Sequence, residues 1–201
     1  MSDKKYPVIT ISREYCAGGR SIARGLEEKL GIPFYDRDFV KKTSEASGYS
    51  EEDIRKDGEQ VNRAERFVTN LLNPVTYESA SDGIYKAQKK VIMELSKEPC
   101  IIIGRCSNVI LKEAGVPVFR IFLYSDLEHR IKRAAEIAEN GNMDLKKYLA
   151  KRDDRRAYYY KTYTGHPFGD YHDYDISLNT GSLGYEKCVD ILADAIRSIS
   201  E

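Results

Sequence analysis

The chain has 201 residues, and its 32 basic and 32 acidic side chains cancel to a formal net charge of zero. This balance excludes the strong overall positive charge that draws proteins onto nucleic acids or anionic membranes, so we expect neither as a partner. No apolar run approaches the roughly 20 residues that span a bilayer, and the N-terminus lacks the apolar segment of a secretory signal, so we expect a cytoplasmic protein. The four cysteines are scattered without a CxxC pair, which argues against a zinc site or a disulfide framework.

The first part of the sequence predicts a strand, a loop, a helix and a second short strand. A β-branched run at residues 8–11 precedes a polar turn, and apolar residues at four-residue steps predict a helix over residues 21–30. Gly31 is a suitable C-cap for that helix, and residues 34–35 predict a second strand. From about residue 41 the chain becomes polar with weak periodicity, so we expect a helical arm over about 41–81.

The remainder continues the alternation of helices and strands. A helix over 81–97 precedes an apolar run at 100–104, and a second apolar run at 118–124 precedes a basic helix. Apolar runs without alternation are typical of strands buried on both faces. A polar segment at 146–173 is crowded with arginine, lysine and tyrosine. The last strand and the last helix are predicted at residues 174–179 and 185–199. This order predicts a single domain with a parallel sheet covered by helices, an α/β fold.

The loop between the first strand and the first helix is a candidate phosphate loop. Its sequence is ISREYCAGGRSIA, residues 11–23. A loop that leads into a helix N-terminus presents unpaired backbone amides and the positive end of the helix dipole, and Gly18 and Gly19 would let an anion approach them closely. Against the pattern GxxxxGK[ST], Arg20 stands in place of the lysine and Ser21 in place of the hydroxyl that ligates Mg²⁺. Taken alone, the segment fits a glycine-containing turn with a capped helix equally well.

Three further segments strengthen the interpretation as a phosphate loop. They are IPFYDRD at residues 32–38, GRCSNVIL at 104–111 and YDISLNT at 174–180. In this order, together with the loop, they resemble the cytidylate kinase-like family, a branch of the P-loop nucleoside monophosphate kinases, over residues 8–199. The resemblance implies a three-layer α/β/α P-loop kinase fold with a parallel five-stranded sheet. It also implies an acceptor-side arm at about 41–81 and a lid over ATP at about 146–173.

The resemblance assigns roles to residues in three segments. It implies that ATP, with Mg²⁺ as cofactor, is bound by Cys16, Ala17, Gly18, Gly19, Arg20, Ser21 and Ile22, with Ser21 as the metal ligand. It implies that a small phosphorylated acceptor, CMP or dCMP first, is bound by Tyr35, Asp36, Arg37, Gly104, Arg105 and Asp153. Phosphoryl transfer brings two polyanions together, so arginines must converge on the transferring group. The catalytic candidates are Arg20, Arg152, Arg155 and Arg156.

Departures from the family pattern leave alternatives open. Cys106 stands where classical cytidylate kinases have an aspartate after Gly-Arg, which favours a P-loop kinase with a different small-molecule acceptor. Glu14 and Arg20 in the loop favour a nucleotide-binding regulatory protein with little catalytic activity. The arginines of the lid also fit a solvated helix face with ion pairs.

Three smaller features complete the expectations. The tyrosines at 158–160 are predicted to pack the lid segment onto the core rather than to stack on a base. Cys16, near a helix N-terminus, is a candidate for a lowered pKa. Apolar residues within 67–72 are compatible with a contact between two copies of the chain.

Overall fold

The structure is a computed structural model that describes residues 6–52, 54, 61, 79–139 and 141–200, except for the side chains of Arg37 and Asp38. Most of the predicted helical arm and the apolar residues at 67–72 lie outside the described residues. The arm and the contact between copies therefore stay predictions.

Five parallel strands form one sheet in the order β2-β3-β1-β4-β5. The strands are β1 (Val8–Arg13), β2 (Phe34–Tyr35), β3 (Ile101–Ile103), β4 (Val118–Tyr124) and β5 (Ile176–Asn179). The helices whose ends both lie within the described residues are α1 (Gly19–Leu30), α2 (Arg37–Ser47), α3 (Ala80–Leu95), α4 (Ser107–Glu113), α5 (Leu127–Ile137), α6 (Leu145–Thr164), α7 (Thr180–Leu183) and α8 (Tyr185–Ser198). A short 3₁₀ turn, Tyr171–Asp173, precedes β5.

Both faces of the sheet are covered. On one face, Ile9 and Ile11 of β1 pack with Ile22 of α1 and Leu192 of α8 in one apolar core. On the other face, Ile102 of β3 lies in a second core, to which α3, α4 and α6 contribute side chains. Because successive side chains of a strand point to opposite faces, a sheet buried on both sides favours apolar residues at most positions. The predicted three-layer α/β/α fold with five parallel strands is confirmed.

The helix after β2 begins earlier than the sequence indicated. The polar arm was expected from about residue 41, but α2 already begins at Arg37. Phe39 and Val40 are buried, Phe39 in the core against α3 and Val40 beside Ile84. Two adjacent apolar residues are too few to show a helical periodicity in the sequence. Among the described helices, none combines the length and the apolar composition that crossing a membrane requires.

The topology brings several chain segments to one edge of the sheet. The carboxyl ends of parallel strands lie at the same edge, where open α/β sheets bind ligands. Here β1 leads into the glycine loop and α1, and β3 leads into Gly104 and Arg105. The helix α6 crosses this edge, because its Asp153 and Arg156 contact the backbone of residues 15 and 13.

Candidate functional site

The loop after β1 turns sharply and opens the N-terminus of α1. The amide of Ala17 donates to the carbonyl of Glu14 over 3.3 Å, which closes a turn. Cys16 (φ +64°) and Gly18 (φ +80°) both adopt the left-handed conformation. Gly18 is the N-cap of α1, and the first turn of this helix carries no acidic residue. The first amides of α1 therefore face the cleft together with the positive end of the helix dipole.

Both glycines of the loop lie in close contact with other side chains. A Cβ on Gly18 would lie 2.2 Å from Cε1 of Tyr185, which overlaps the ring. A Cβ on Gly19 would lie 3.1 Å from Cγ of Arg13. The ring of Tyr185 and the stem of Arg13 thus support the loop from below.

The loop forms one wall of a cleft of about 520 Å³. Its lining includes eleven of the residues that the sequence singled out: Cys16, Ala17, Gly18, Gly19, Arg20, Ser21, Asp36, Arg105, Arg152, Arg155 and Arg156. The lining contains seven arginines and only three carboxylates. The arginines are Arg13, Arg20, Arg105, Arg133, Arg152, Arg155 and Arg156, and the carboxylates belong to Glu14, Asp36 and Glu139. The excess of guanidinium groups makes the cleft a site for polyanions.

Other predicted residues lie away from the cleft lining. Ile22 is fully buried in the core below α1, and Tyr35 packs against the core on the opposite face. Gly104 lies in a small cavity that adjoins the cleft and that Arg105 and Arg156 also line. Arg37 begins α2, but its side chain lies outside the described residues.

Arg20 projects towards the start of α2. Its Nε lies 2.8 Å from Oδ2 of Asp36, and its side chain is 72% exposed. Asp36 directly precedes α2, so this ion pair connects the first turn of α1 to the start of α2.

Arg105 follows β3 in an unusual backbone conformation. Gly104 (φ +68°), Arg105 (φ +61°) and Cys106 (φ +57°) are consecutive left-handed residues. This conformation costs about 1–2 kcal/mol for a residue with a Cβ, and such strain is concentrated at functional sites. Cys106 is 3% exposed within the core against α4, and burial raises the pKa of its thiol. The cysteine in the aspartate position is therefore a buried packing residue.

Sequence reasoning missed Arg13, which lies at the centre of the arginine cluster. Burial lowers the pKa of Arg13 to about 10, with further lowering by Arg20 and Arg152 and an opposing effect of Asp36. Burial likewise lowers the pKa of Arg105 to about 10. Burial and then repulsion from Arg13 and Arg152 lower the pKa of Arg156 well below its ordinary value. The sequence feature that could have identified Arg13 is the alternation of side chains along a strand, which places Arg13 on the same face of β1 as Ile9 and Ile11.

Asp153, predicted to bind the acceptor, lies behind the loop instead of in the cleft lining. Its Oδ1 accepts from the amide of Tyr15 over 2.7 Å, and its Oδ2 is paired with Nη1 of Arg130. Nε of Arg130 lies 3.5 Å from Oε2 of Glu14, which in turn accepts from the amide of Ser125 over 3.1 Å. This network, formed by Glu14, Arg130 and Asp153, joins the phosphate loop to β4, α5 and α6.

Two arginines of α6 stack on the loop. The guanidinium carbon of Arg152 lies 4.6 Å from the ring centre of Tyr15, and that of Arg156 lies 5.1 Å from it. Nη1 of Arg156 also donates to the carbonyl of Arg13 over 3.2 Å. These two side chains are thus directed at the loop and do not form a solvated helix face.

The tyrosines of α6 pack as expected. Tyr159 and Tyr160 are buried in the core, and their hydroxyl groups donate to Gln88 and Asp173 over 2.8 and 2.9 Å. The expectation of a lowered pKa for Cys16 is wrong, because burial raises the pKa of this thiol to about 11 despite the nearby Arg156. Partial burial outweighs the helix N-terminus at this position.

The donor set near the loop suits Mg²⁺. Ser21 and Asp36 both line the cleft beside the glycines, and Mg²⁺ prefers a few protein oxygens together with phosphate oxygens and water. Within the described part of the chain, no three His, Cys, Asp or Glu side chains form a metal-binding group.

A model of the cytidylate kinase-like family matches residues 8–182. Similar solved structures include an uncharacterized protein from Eubacterium ventriosum, with 24% identity, a TM-score of 0.67, and coverage of 96% of this chain and 99% of that chain. A shikimate kinase from Bacteroides thetaiotaomicron has 15% identity and a TM-score of 0.58, with coverage of 95% and 98%. A gluconokinase from Sinorhizobium meliloti has 14% identity and a TM-score of 0.55, with coverage of 97% of both chains. At these identities the likeness shows the fold alone, and no curated protein matches the sequence.

Proposed function

Because this chain belongs to the cytidylate kinase-like family, we propose that it is a P-loop phosphotransferase that moves the γ-phosphate of ATP to a nucleoside monophosphate, with CMP and dCMP as the first acceptors to test. The four free thiols suit the reducing cytoplasm, where we place the reaction.

The observation that carries the proposal is the arginine-lined cleft at the N-terminus of α1. Arginines from β1, α1, the β3–α4 connection, α5 and α6 line this single cavity. Two phosphorylated substrates repel each other, and the transition state spreads further negative charge over the transferring group. Guanidinium groups fixed before the substrates arrive offset this repulsion without reorganisation during the reaction.

The chain's own residues would divide the work between donor and acceptor. In this proposal, the amides at Gly18 and Gly19 bind the donor phosphates, and Arg105 binds the phosphate of the acceptor. Three arginines of α6, namely Arg152, Arg155 and Arg156, approach the transferring group from their positions in the cleft lining. Transfer to a phosphate oxygen needs positioning and charge rather than a strong base.

Ser21 would hold Mg²⁺ together with the phosphates of ATP. When bound there, Mg²⁺ would neutralise part of the negative charge of the phosphates. The amides of α1 and the arginines of the cleft would position the same phosphates from the protein side.

The environment of Cys106 is the observation that supports a second acceptor class beside CMP. The side chain in the aspartate position is a buried thiol, so it offers no carboxylate to the hydroxyl or amino groups of a cytidine. A different small phosphorylated acceptor, bound mainly through its phosphate, fits this environment as well as CMP does.

The test is ADP formation by purified protein with Mg-ATP and a panel of nucleoside monophosphates and sugar phosphates, with CMP and dCMP first. Arg105→Met should raise the KM for the acceptor at least about tenfold, because one charge-assisted pair with phosphate is lost. Arg24→Met is the matched control, since Arg24 is an exposed side chain on α1 outside the cleft.

The outcomes separate three functions. Turnover with CMP or dCMP that depends on Arg105 supports the nucleoside monophosphate kinase. Turnover with another acceptor alone assigns that acceptor instead. ATP binding without turnover across the panel would contradict the proposed reaction and favour a regulatory nucleotide-binding protein.

A further inference from the structure

We propose that Arg13, rather than Arg20, is the side chain that contacts the donor phosphates where the P-loop pattern has its lysine. This inference rests on the proposed function, since it assigns a residue for binding ATP in the same cleft. It reassigns the role that the sequence pattern gave to Arg20.

The position of Arg20 does not suit the lysine's role. The P-loop lysine must reach back over the loop to the β- and γ-phosphates. Arg20 instead extends to Asp36, with Nε at 2.8 Å from the carboxylate and 72% of the side chain exposed. A mostly solvated guanidinium group held by a carboxylate contributes less to binding a phosphate than a desolvated one does.

Arg13 approaches the loop from the sheet. It is the last residue of β1, the central strand, and it lies on the same face as the core residues Ile9 and Ile11. Its Cγ and Cδ lie 3.1 and 3.3 Å from the position that a Cβ of Gly19 would occupy. The stem of Arg13 therefore runs directly beside the first residue of α1, and Arg13 is one of the residues that line the cleft.

Arg13 also lies between the donor and the acceptor groups. It lines both the main cleft and the small adjoining cavity, where Arg105 and Arg156 are neighbours. Its charge lowers the pKa of Arg105 and of Arg156, after the larger effect of burial. The centre of the positive cluster is thus Arg13.

Guanidinium groups collected in this way repel one another and lose hydration, which costs stability in the free protein. A polyphosphate chain supplies the opposing charge and accepts the forked hydrogen bonds of arginine.

The test measures binding, with turnover as a second readout. ATP and inorganic tripolyphosphate are titrated by calorimetry into the full-length chain and into Arg13→Met, Arg13→Lys, Arg20→Met and Arg24→Met, and the Tm of each free protein is measured. Arg13→Met should weaken both ligands at least about tenfold, and Arg20→Met should weaken them less. Arg13→Lys should recover part of the loss, because it restores the charge without the fork.

The Tm distinguishes a binding role from a structural one. Arg13→Met keeps most of the aliphatic stem that lies beneath Gly19, so the Tm of the free protein should change little, whereas loss of a structural residue would lower it. If the wild-type chain binds ATP and Arg13→Met binds it equally well, or if Arg20→Met loses more affinity, the assignment of Arg13 is wrong and the proposed function stands. If the wild-type chain binds neither ATP nor tripolyphosphate, both fail.

Discussion

At Gly18, two independent features prevent any side chain. The backbone φ of +80° lies in the left-handed region, and a Cβ would overlap the ring of Tyr185. Gly31 has a similar φ of +69°, but a Cβ there meets nothing within 4 Å. Gly31→Ala should therefore cost about 1 kcal/mol through backbone strain alone, while Gly18→Ala should cost about 2–4 kcal/mol, since overpacking adds to the strain.

Urea denaturation of the two glycine variants measures this difference. Gly18→Ala should also weaken ATP binding, because the loop must shift to relieve the overlap. Equal losses of unfolding free energy in the two variants would show that Tyr185 does not hold the loop.

The reactivity of the Cys16 thiol, which lies inside the loop, should depend on pH. Its pKa is raised to about 11, so its thiolate fraction at pH 8 should be roughly a hundredfold below that of a free cysteine, because each pKa unit is a factor of ten. Native-state alkylation by iodoacetamide should be correspondingly slow at pH 8, should rise up to about pH 11, and should be blocked by ATP. Fast alkylation at pH 8 that Cys16→Ser abolishes would contradict the raised pKa.

The raised pKa of Cys16 also makes the unfolding free energy depend on pH. Between about pH 9 and 11 the folded chain keeps the thiol proton that the unfolded chain has lost. The folded state then binds more protons, so the contribution of this group to the unfolding free energy decreases as the pH rises through that window.

At the scale of elements, α6 is connected to the phosphate loop by the network of Glu14, Arg130 and Asp153. The Asp153 side chain is 24% exposed and that of Arg130 is 12% exposed, so the ion pair is largely shielded from water. Asp153→Asn keeps an oxygen for the amide of Tyr15 but leaves Arg130 with less compensating charge. We expect a loss of about 2 kcal/mol of unfolding free energy and weaker ATP binding.

The matched control for this network is an exposed pair. Glu94→Gln removes a carboxylate from a pair with Lys97 in which both side chains are more than two-thirds exposed, at 69% and 68%. It should change the unfolding free energy by less than about 0.5 kcal/mol. If Asp153→Asn had an effect as small as this control in chemical denaturation, α6 would not be fixed to the loop through Asp153.

At the scale of the whole molecule, the sequence predicted the sheet better than it predicted the site. The strand at residues 118–124 was predicted with its observed bounds, because Pro117 precedes it and a polar helix start follows. The loop was identified because a glycine-containing connection leads from a strand into a helix N-terminus. The residues after β3 were identified because they follow the carboxyl end of a parallel strand and resemble the family's pattern. The roles of Arg13 and Asp153 depend on contacts with residues distant in sequence, such as that between Asp153 and the amide of Tyr15. No local pattern encodes these contacts.

The charge of the cleft should make ligand binding visible in the stability of the whole chain. At 100 times its Kd, a ligand that binds only the folded state adds about 2.7 kcal/mol, which corresponds to a rise in Tm of roughly 5–10 °C for a chain of this size. ATP, ADP and tripolyphosphate should raise the Tm in thermal unfolding, and adenosine should not. An equal shift with adenosine would mean that the base, and not the arginine cluster, dominates binding.

The most direct test of the account is to follow the γ-phosphate itself. Purified protein is incubated with Mg-ATP labelled at the γ-phosphate and with CMP, dCMP or the other acceptors of the panel, and the products are separated. The account predicts that the label appears on the acceptor. Label that stays in ATP, or that is released only as inorganic phosphate, with every acceptor would contradict phosphoryl transfer in this cleft.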